Sequence, residues 1–380
     1  MSKKVLINAI TVENGNLIPL LLKSREWQKN NVEVTIFANI YLKKRIDKLG
    51  IIKGYKFIEL KNDKRFFTKL QFVIEAARRN IIALSYIKKL LANRFDVVYS
   101  ISSVTDLTIL PLVLKLIDKR IKWAIVFDNI VPLHDPGPKL IRLLGWTFFH
   151  LSTVIIRKAD VVYAISDDLK NYLISHGINN KKVIVTGNAI ESDVIKKVNR
   201  NNEFEYDAIY VGRINETKGI YEMLEVLKIL VNKYDKFTLG IVGEGDKHTM
   251  DNFKLRIGKM NLRKNVKFLG YLDGTNKFRA LKKAKTFWFL SFSEHESFGV
   301  ALLEAASSGL PCFSYRLKPL VKIYKHSEVH MSPIHDYEDI AKNVLATFAT
   351  GNFNNENGTR LLNKYSWDYV AQKERRAFSV

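Results

Sequence analysis

Two glutamates separated by seven residues are the strongest candidates for chemistry in this chain. Glu296 and Glu304 flank the segment SFGVALL, in which a polar loop gives way to an apolar helix. Gly299 permits close approach of the backbone to a ligand, and a helix start offers free N–H groups and a positive dipole end to a phosphate. Glu304 lies within the apolar run VALLEAA, where a carboxylate needs a hydrogen-bonding partner. Sugar hydroxyls would supply one.

Two cations earlier in the chain suit an anionic ligand. Arg213 and Lys218 lie in VGRINETKGI, a pattern that indicates the end of a strand, a loop and the start of a helix. Cations at such a place could grip a diphosphate, because fixed cations form charge-assisted hydrogen bonds with phosphoryl oxygens. Taken alone, the same spacing also occurs among ordinary surface residues.

The glutamate pair resembles the E-x7-E signature of retaining glycosyltransferases of the GT-B fold, the large family 4-like "glycosyl transferases group 1". The run around it is similar to the family's E-G-F-G-x-x-x-L-E-A-x-x-x-G-x-P, with Ser297 in place of the first glycine. The resemblance implies that Glu304 holds the ribose hydroxyls of the donor nucleotide and that Glu296 contacts the transferred sugar at the catalytic centre. It also equates Arg213 and Lys218 with the family's phosphate-binding pair, which acts in catalysis without a metal.

The same resemblance implies further donor-binding positions on the turns and strand ends of the C-terminal half. They are Gly243 in IVGEGD, Leu269 in VKFLG, and Phe298, Gly299 and Val300 between the two glutamates. The first two segments are also typical of Rossmann-like domains in general, so ordinary turn and core roles stay open for them.

The N-terminal half is expected to supply the acceptor site and part of the catalytic centre, and here the sequence departs from the family pattern. A Gly-Gly pair is usual after the first strand, whereas this chain offers only Gly15 for close approach to the donor. Asp128, after the strand WAIVF, is the leading catalytic candidate because it could orient the donor sugar or the acceptor hydroxyl. Asp-Asn and Asp-Pro-Gly sequences are also common turn formers. His134, in the next loop, is a second candidate.

These residues are expected at the carboxyl ends of strands in two α/β domains. A chain of 380 residues favours two domains at about 150 residues each. Short β-branched runs such as VLINAI, DVVYSIS and DAIYVGR alternate with helical stretches, which predicts doubly wound parallel sheets facing a central cleft. The predicted parts are a Rossmann-like acceptor-binding domain (1–188), a Rossmann-like donor-binding domain (189–358) and a closing helix (359–380). By resemblance, that helix crosses back onto the N-terminal domain.

A large excess of positive charge suggests anionic partners. The formal net charge is +23, and residues 41–94 carry fifteen basic and four acidic side chains among many apolar ones. This mixture is typical of helices that lie on anionic lipid, and equally of a core helix with a solvated basic face. Zinc spacing, recognition-helix patterns and RNA-binding aromatic motifs are absent from the sequence, which argues against nucleic acid.

Several other classes of protein are not favoured. The sequence has no D-x-D or HExxH motif, so no metal and no cofactor beyond the donor itself is expected. The N-terminus lacks a signal-peptide pattern and no apolar stretch reaches the length of a spanning helix, which predicts a cytoplasmic protein, peripheral at most to the inner face of the membrane. Cys312, in GLPCFSY, is expected to be a buried structural residue.

The sequence therefore predicts a retaining, metal-independent glycosyltransferase that moves a sugar from a nucleoside-diphosphate donor to a saccharide or lipid-linked acceptor. Assembly of a cell-surface polysaccharide or glycolipid is the expected setting. Two alternatives stay open: an epimerase of the same fold acting on the nucleotide sugar itself, and a non-catalytic basic binding or partner protein that keeps the fold.

Overall fold

The chain divides into two compact units in a computed structural model. The structure describes residues 2–11, 14–61, 69–131, 139–201, 203–293 and 296–378. The first unit comprises residues 1–187 together with 367–380, and the second comprises residues 188–366. The domain limits expected from the sequence, after residues 188 and 358, stay a prediction.

The first unit is built on a seven-stranded, entirely parallel sheet in the order β3-β2-β1-β4-β5-β6-β7. Its strands are β1 Lys3–Asn8, β2 Val32–Ala38, β3 Lys56–Glu59, β4 Val97–Ser100, β5 Lys122–Phe127, β6 Val161–Ala164 and β7 Val183–Val185. The central strand β4 is buried along its whole length, as expected of a parallel sheet that helices cover on both faces.

Within the described residues, eight α-helices accompany this sheet. They are α1 Asn14–Lys29, α2 Ile40–Leu49, α3 Lys69–Ser85, α4 Ile87–Ala92, α5 Ile109–Ile117, α6 Lys139–Ile156, α7 Asp167–Ser175 and, from the end of the chain, α17 Trp367–Ala377. Local sequence explains both ends of α2. The Asn39 side chain caps the start of α2, and Gly50, in the left-handed region, ends it.

Helix α17 is fastened to α1 and β4 by a buried network of charges. The Lys23 ammonium donates to the phenolic oxygen of Tyr99 at 2.6 Å and to the Glu374 carboxylate at 3.1 Å, and Tyr99 donates to the same carboxylate at 2.9 Å. The Tyr163 hydroxyl donates to the Glu374 carbonyl oxygen at 2.7 Å. Burial raises the pKa of Glu374, and the Lys23 ammonium opposes that shift. The C-terminal helix is thus held by polar groups that satisfy one another in the core.

The second unit repeats the architecture with a six-stranded parallel sheet in the order β10-β9-β8-β11-β12-β13. Its strands are β8 Tyr206–Val211, β9 Leu239–Val242, β10 Val266–Gly270, β11 Ala284–Phe289, β12 Cys312–Tyr315 and β13 His330–Ser332. Its helices are α8 Ser192–Lys197, α9 Ile220–Val231, α10 Lys247–Lys259, α11 Gly274–Lys282, α12 Val300–Ser307, α13 Lys318–Ile323, α14 Tyr337–Thr350, α15 Glu356–Thr359 and α16 Leu361–Lys364.

The predicted pair of parallel-sheet, Rossmann-like domains is confirmed. Cys312 is fully buried, as expected, and burial raises the pKa of its thiol. The sequence patterns do not predict β3, β12 or β13, because KFIE, CFSY and HMS lack the β-branched runs that mark the equally short strands β4, β6, β7 and β9.

Helix α6 has an unusual apolar stripe on its solvent-facing side. Leu143, Phe148, Leu151 and Val154 are 38–52% exposed, and their spacing places them on one face of the helix. Within the described ranges, no helix is both long and apolar enough to cross a membrane. The stripe is therefore an exposed apolar surface on a helix that also packs into the first unit through Phe149 and Ile156.

The buried network predicts a large effect of removing one charge. Glu374→Gln keeps the shape of the side chain but leaves the Lys23 ammonium in the core without a counter-charge. We expect the free energy of unfolding, measured by urea denaturation, to fall by about 3–5 kcal/mol. Combining Lys23→Met with Glu374→Gln removes both charges and should recover most of that loss.

Equal losses in the single and double variants would contradict this account. Glu33→Gln is the matched control, because Glu33 pairs with Lys56 on the surface of the same unit at 3.0 Å. That variant should leave the unfolding midpoint nearly unchanged.

Candidate functional site

The candidate site lies in the second unit, at the carboxyl ends of β8 and β11. Strand order runs from β8 to β9 and β10 on one side and from β11 to β12 and β13 on the other. The gap between the loops after β8 and β11 is therefore a topological switch point, where ligands bind in open α/β sheets. Arg213 and Lys218 follow β8, and Glu296 follows β11.

Lys218 and Glu296 are in direct contact although 78 residues separate them. The ammonium of Lys218 donates to a Glu296 carboxylate oxygen at 2.6 Å, and the hydroxyl of Ser291 donates to the same oxygen at 3.2 Å. The two loops are joined by the backbone as well, since the Phe292 N–H donates to the Thr217 carbonyl oxygen. The structure thus brings together a predicted phosphate-binding cation and a predicted sugar-contacting carboxylate.

Close packing at Gly219 fixes the approach of these two loops. Gly219 has φ +77°, and a Cβ atom there would lie 2.0 Å from the carbonyl oxygen of Leu290 at the end of β11. A side chain of any kind would push the Lys218 turn away from β11. Glycine at this position is therefore a condition for the Lys218–Glu296 contact.

Arg213 lies beside this pair with its guanidinium exposed. Its carbonyl oxygen accepts a hydrogen bond from Tyr210 at 2.8 Å, but its guanidinium has no hydrogen-bonded partner among the described residues. Burial, and then the nearby Glu296 carboxylate, raise the pKa of the Tyr210 hydroxyl, while the Arg213 guanidinium lowers it. Arg213 and Glu296 therefore both act electrostatically on the same phenol, and the guanidinium is available to an anion.

The start of α12 has the geometry expected from the glutamate motif. Gly299 precedes the helix with φ +68°, and Val300 is its first residue. Tyr324 donates to the carbonyl oxygen of Phe298 at 3.0 Å and to that of Gly299 at 3.3 Å. These hydrogen bonds fix the turn through its carbonyl oxygens. The first backbone N–H groups of α12 take no part in them.

Glu304 lies in α12 with its carboxylate paired to a lysine that the sequence does not single out. Lys277, on α11, donates to the Glu304 carboxylate at 2.6 Å, and both side chains are at most 16% exposed. Glu304 therefore has an ionic partner, and its second oxygen is available to a hydroxyl. The sequence contains one local signal that Lys277 has a specific role. It lies in the first turn of α11, where the helix dipole disfavours a cation.

Gly243 and Leu269 lie on the neighbouring strands of the same edge. Gly243 follows β9 with φ +139°, and a Cβ atom there would lie 1.8 Å from the carbonyl oxygen of Gly212. Its N–H donates to the carbonyl oxygen of Gly270 at 2.8 Å, just after the half-buried Leu269. The predicted donor-binding positions of the second unit thus share one edge of the sheet. Their contact with a donor stays a prediction.

Asp128, the catalytic candidate of the first unit, follows β5. The hydroxyl of Ser102 donates to its carboxylate at 3.1 Å, so the side chain has a polar setting at the carboxyl edge of the sheet. Gly15 belongs to the first turn of α1, but its surroundings lie outside the described residues. His134 lies outside them too.

A second polar cluster at this edge was missed by reasoning from the sequence. Arg79, 4% exposed, pairs with Asp106 at 3.0 Å, and the Asp106 carboxylate also accepts from Thr11 at 2.9 Å and Asn80 at 3.3 Å. The cluster ties α3 to the short turn before α5. Residues this far apart in sequence give no local pattern that would reveal the pairing.

Metal ligands do not gather in the part of the chain that the structure describes. Within those ranges, no three His, Cys, Asp or Glu side chains are grouped so that they could hold a metal ion. The charged groups described above at the candidate site are the cations Arg213, Lys218 and Lys277, with Glu296 paired to Lys218 and Glu304 paired to Lys277.

The close packing of Gly243 predicts a specific sensitivity. In Gly243→Ala the added methyl group would collide with the Gly212 carbonyl, and we expect the free energy of unfolding to fall by about 3 kcal/mol or more. Gly270→Ala is the control, because Gly270 also has a positive φ but has nothing within 4 Å of a Cβ atom. It should cost only about 1–2 kcal/mol. Equal losses on thermal or urea denaturation would contradict the packing argument.

Comparison with known proteins adds to this geometry. Residues 191–356 match the family model described as glycosyl transferases group 1, and residues 21–194 match the model described as Glycosyltransferase Family 4. A phosphatidyl-myo-inositol mannosyltransferase of Mycobacterium leprae is 27% identical over 177 residues, which is 45% of this chain and 46% of that protein. The matched part of this chain thus spans about half the length of such relatives.

Solved structures agree over the whole chain. A glycosyltransferase from Rickettsia africae has a TM-score of 0.77 at 16% identity, covering 100% of this chain and 98% of that one. The Anabaena protein HepE, crystallised with UDP and glucose, has a TM-score of 0.73 at 14% identity, covering 99% of both. These likenesses concern the fold, and the two family models together span residues 21–356. The chain belongs to the glycosyltransferases, as a family 4-like member of group 1 with the GT-B fold.

Proposed function

We propose that this glycosyltransferase takes its sugar from a nucleoside-diphosphate donor bound at the carboxyl edge of the second unit. The observation that carries the proposal is the contact of Lys218 with Glu296 beside the exposed guanidinium of Arg213. A diphosphate is the ligand that such an arrangement suits, since two cations can share its oxygens while the carboxylate faces the sugar.

The proposed chemistry is departure of the diphosphate from the anomeric carbon. Negative charge grows on the phosphoryl oxygen as the glycosidic bond lengthens, so cations already in place lower the barrier without reorganising. Lys218 would exchange part of its contact with Glu296 for the phosphate. Glu296 would then accept hydrogen bonds from hydroxyls of the transferred sugar and fix its orientation.

Glu304 is proposed to hold the ribose of the donor. Its ion pair with Lys277 supports this role, because a buried carboxylate with a fixed partner keeps its orientation. A carboxylate has room for several hydrogen bonds, so ribose hydroxyls can bind while Lys277 stays in contact.

Retention of anomeric configuration and independence from metal ions are part of the proposal. Retention follows from the resemblance of the Glu296–Glu304 segment to retaining enzymes. Metal independence is proposed because Arg213 and Lys218 supply positive charge where a divalent cation would otherwise be needed to stabilise the leaving group.

The acceptor is proposed to bind the first unit and to be a saccharide or a lipid-linked molecule. Asp128, with Ser102 beside it, is the proposed polar group on that side. The mycobacterial relative is named for mannosyl transfer and for phosphatidyl-myo-inositol, a lipid. A role in cell-surface polysaccharide or glycolipid assembly fits such an acceptor.

The first unit is further proposed to rest on an anionic membrane surface, which would place the protein at the inner face of the cytoplasmic membrane. Exposed apolar side chains occur on α3, at Ile74 and Ile81, and on α6, at Leu151 and Val154. Both helices pack against the turn at residues 105–107. Apolar side chains beside a basic segment are the combination that binds anionic lipid. Phe66, Phe67 and the side chains of Leu70, Phe72 and Val73 lie outside the described residues.

The donor proposal predicts the effect of removing one cation. In Lys218→Met the diphosphate loses a partner that matters most in the transition state, so we expect turnover to fall at least about 100-fold. The measurement is release of nucleoside diphosphate across panels of nucleotide sugars and acceptors. Lys233→Met, which removes an exposed lysine of the same unit, is the control and should keep full activity.

Three outcomes would contradict the proposed reaction. Conversion of a nucleotide sugar without any acceptor would indicate an epimerase. A product of inverted configuration would exclude retention. Absence of both turnover and nucleotide binding with every donor would favour a non-catalytic binding protein.

The membrane proposal predicts that a charge on α6 releases the protein from lipid. Leu151→Glu places a carboxylate in the apolar stripe, and we expect affinity for vesicles containing phosphatidylserine to fall about tenfold in co-sedimentation. Leu255→Glu is the control, because Leu255 is 57% exposed on the second unit against 48% for Leu151. Equal losses in both variants, or no vesicle binding by the unaltered protein, would contradict the proposal.

A further inference from the structure

A cavity of about 340 Å³ opens in the second unit among α8, α11, α12 and α15. Its walls include Lys282, the last residue of α11, and Ser307, the last residue of α12. Those helix ends lead into β11 and β12, so the cavity lies at the amino-terminal edge of the sheet. The proposed donor residues lie at the carboxyl-terminal edge, and the cavity is not part of that site.

Two cations line this cavity without a carboxylate partner among the described residues. Lys282 is only 9% exposed, and its ammonium donates to the carbonyl oxygens of Ile195, at 2.7 Å, and Val198. The half-buried Arg200 donates to four oxygens, the nearest being the Phe353 carbonyl at 2.8 Å, and none of them belongs to a carboxylate. In the part of the chain that the structure describes, both cations are thus oriented by neutral groups.

The lining as a whole carries an excess of positive charge. Among the described residues that line the cavity, the three cations Lys196, Arg200 and Lys282 are accompanied by one carboxylate, that of the exposed Glu356. Carbonyl groups orient a cation but do not cancel its charge, and a buried charge without a counter-ion is costly. Burial lowers the pKa of Lys282, and Arg200 lowers it further. An anion in the cavity would supply the counter-charge that Lys282 and Arg200 lack among the described residues.

Hydrogen-bond donors also remain unused around the cavity. The hydroxyl of Ser307 is buried and has no partner within the described ranges. Lys282 uses two of its ammonium hydrogens, and Arg200 has one guanidinium hydrogen left after the four bonds given above. A buried hydroxyl without a partner is unusual in a folded protein. Donors of this kind suit a ligand with several acceptor oxygens.

We propose that this cavity binds a small phosphorylated molecule, with its phosphate held by Lys196, Arg200 and Lys282. Phosphate offers several charged acceptor oxygens, and arginine and lysine are the side chains that bind it best. The volume of about 340 Å³ is at the lower end of small-molecule sites, about 300–1,000 Å³. It therefore suits a compact ligand such as a phosphorylated monosaccharide, and this site is independent of the donor proposal.

The test is isothermal titration of the full chain with inorganic phosphate, glucose 6-phosphate and glucose, at constant ionic strength set with potassium chloride. The titrations use a Lys218→Met background, so that phosphate binding at the proposed donor site is weakened. We expect glucose 6-phosphate to bind and glucose not to bind. Equal affinity for inorganic phosphate would show that the phosphate alone is bound, and weaker affinity would show that the sugar is bound too.

Two neighbouring lysines supply a matched control. Lys196 and Lys197 are both exposed residues of α8, but only Lys196 lines the cavity. Lys196→Glu should weaken glucose 6-phosphate binding about tenfold or more, whereas Lys197→Glu should change it less than about twofold. Ser307→Ala should raise the melting temperature of the unliganded protein, because it removes a buried hydroxyl without a partner among the described residues. Equal effects of the two lysine variants, or no binding of either phosphate, would overturn the proposal.

Discussion

The hydrogen-bonded pairing of β8 with β11 is the constraint on which the candidate site depends. Because the two strands are parallel neighbours, their following loops emerge at the same edge, and Lys218 meets Glu296 at 2.6 Å. Gly219 allows the approach, since no side chain fits between its turn and the end of β11. The pairing of β8 with β11 thus brings Lys218 to Glu296, and Gly219 allows the two loops to pack against each other.

Charged side chains have different kinds of partner at three places in the molecule. At the candidate site each glutamate has a lysine partner, so a ligand can be recognised by exchanging contacts that already exist. In the core of the first unit, Lys23 and Glu374 neutralise each other and fasten the last helix. At the amino-terminal edge of the second sheet, the hydrogen-bonding partners of Arg200 and Lys282 among the described residues are neutral. The first arrangement suits catalysis, the second stability and the third binding of an anion.

Much of the second unit could be predicted from local sequence. The strand at DAIYVGR, the polar loop and helix around Glu296 and Glu304, and the alternation of strands and helices all depend on residues close together in the chain. The structure contains these elements where the sequence predicts them, because hydrophobic periodicity and glycine-dependent turns are local properties. The least successful predictions concerned β3, β12 and β13, which are short and also lack a β-branched run.

The sequence by itself determined the fold class, the family and the residue types at the candidate site. Only the tertiary structure decided that Lys277 would be the partner of Glu304, that Arg79 would meet Asp106, and that α6 would turn apolar side chains to solvent. The physical reason is that ion pairs and exposure depend on which elements pack together across long sequence separations. In α6 the polar Ser152 and Thr153 are buried while the apolar Leu151 and Val154 are exposed, so hydrophobic periodicity alone does not reveal which face is buried.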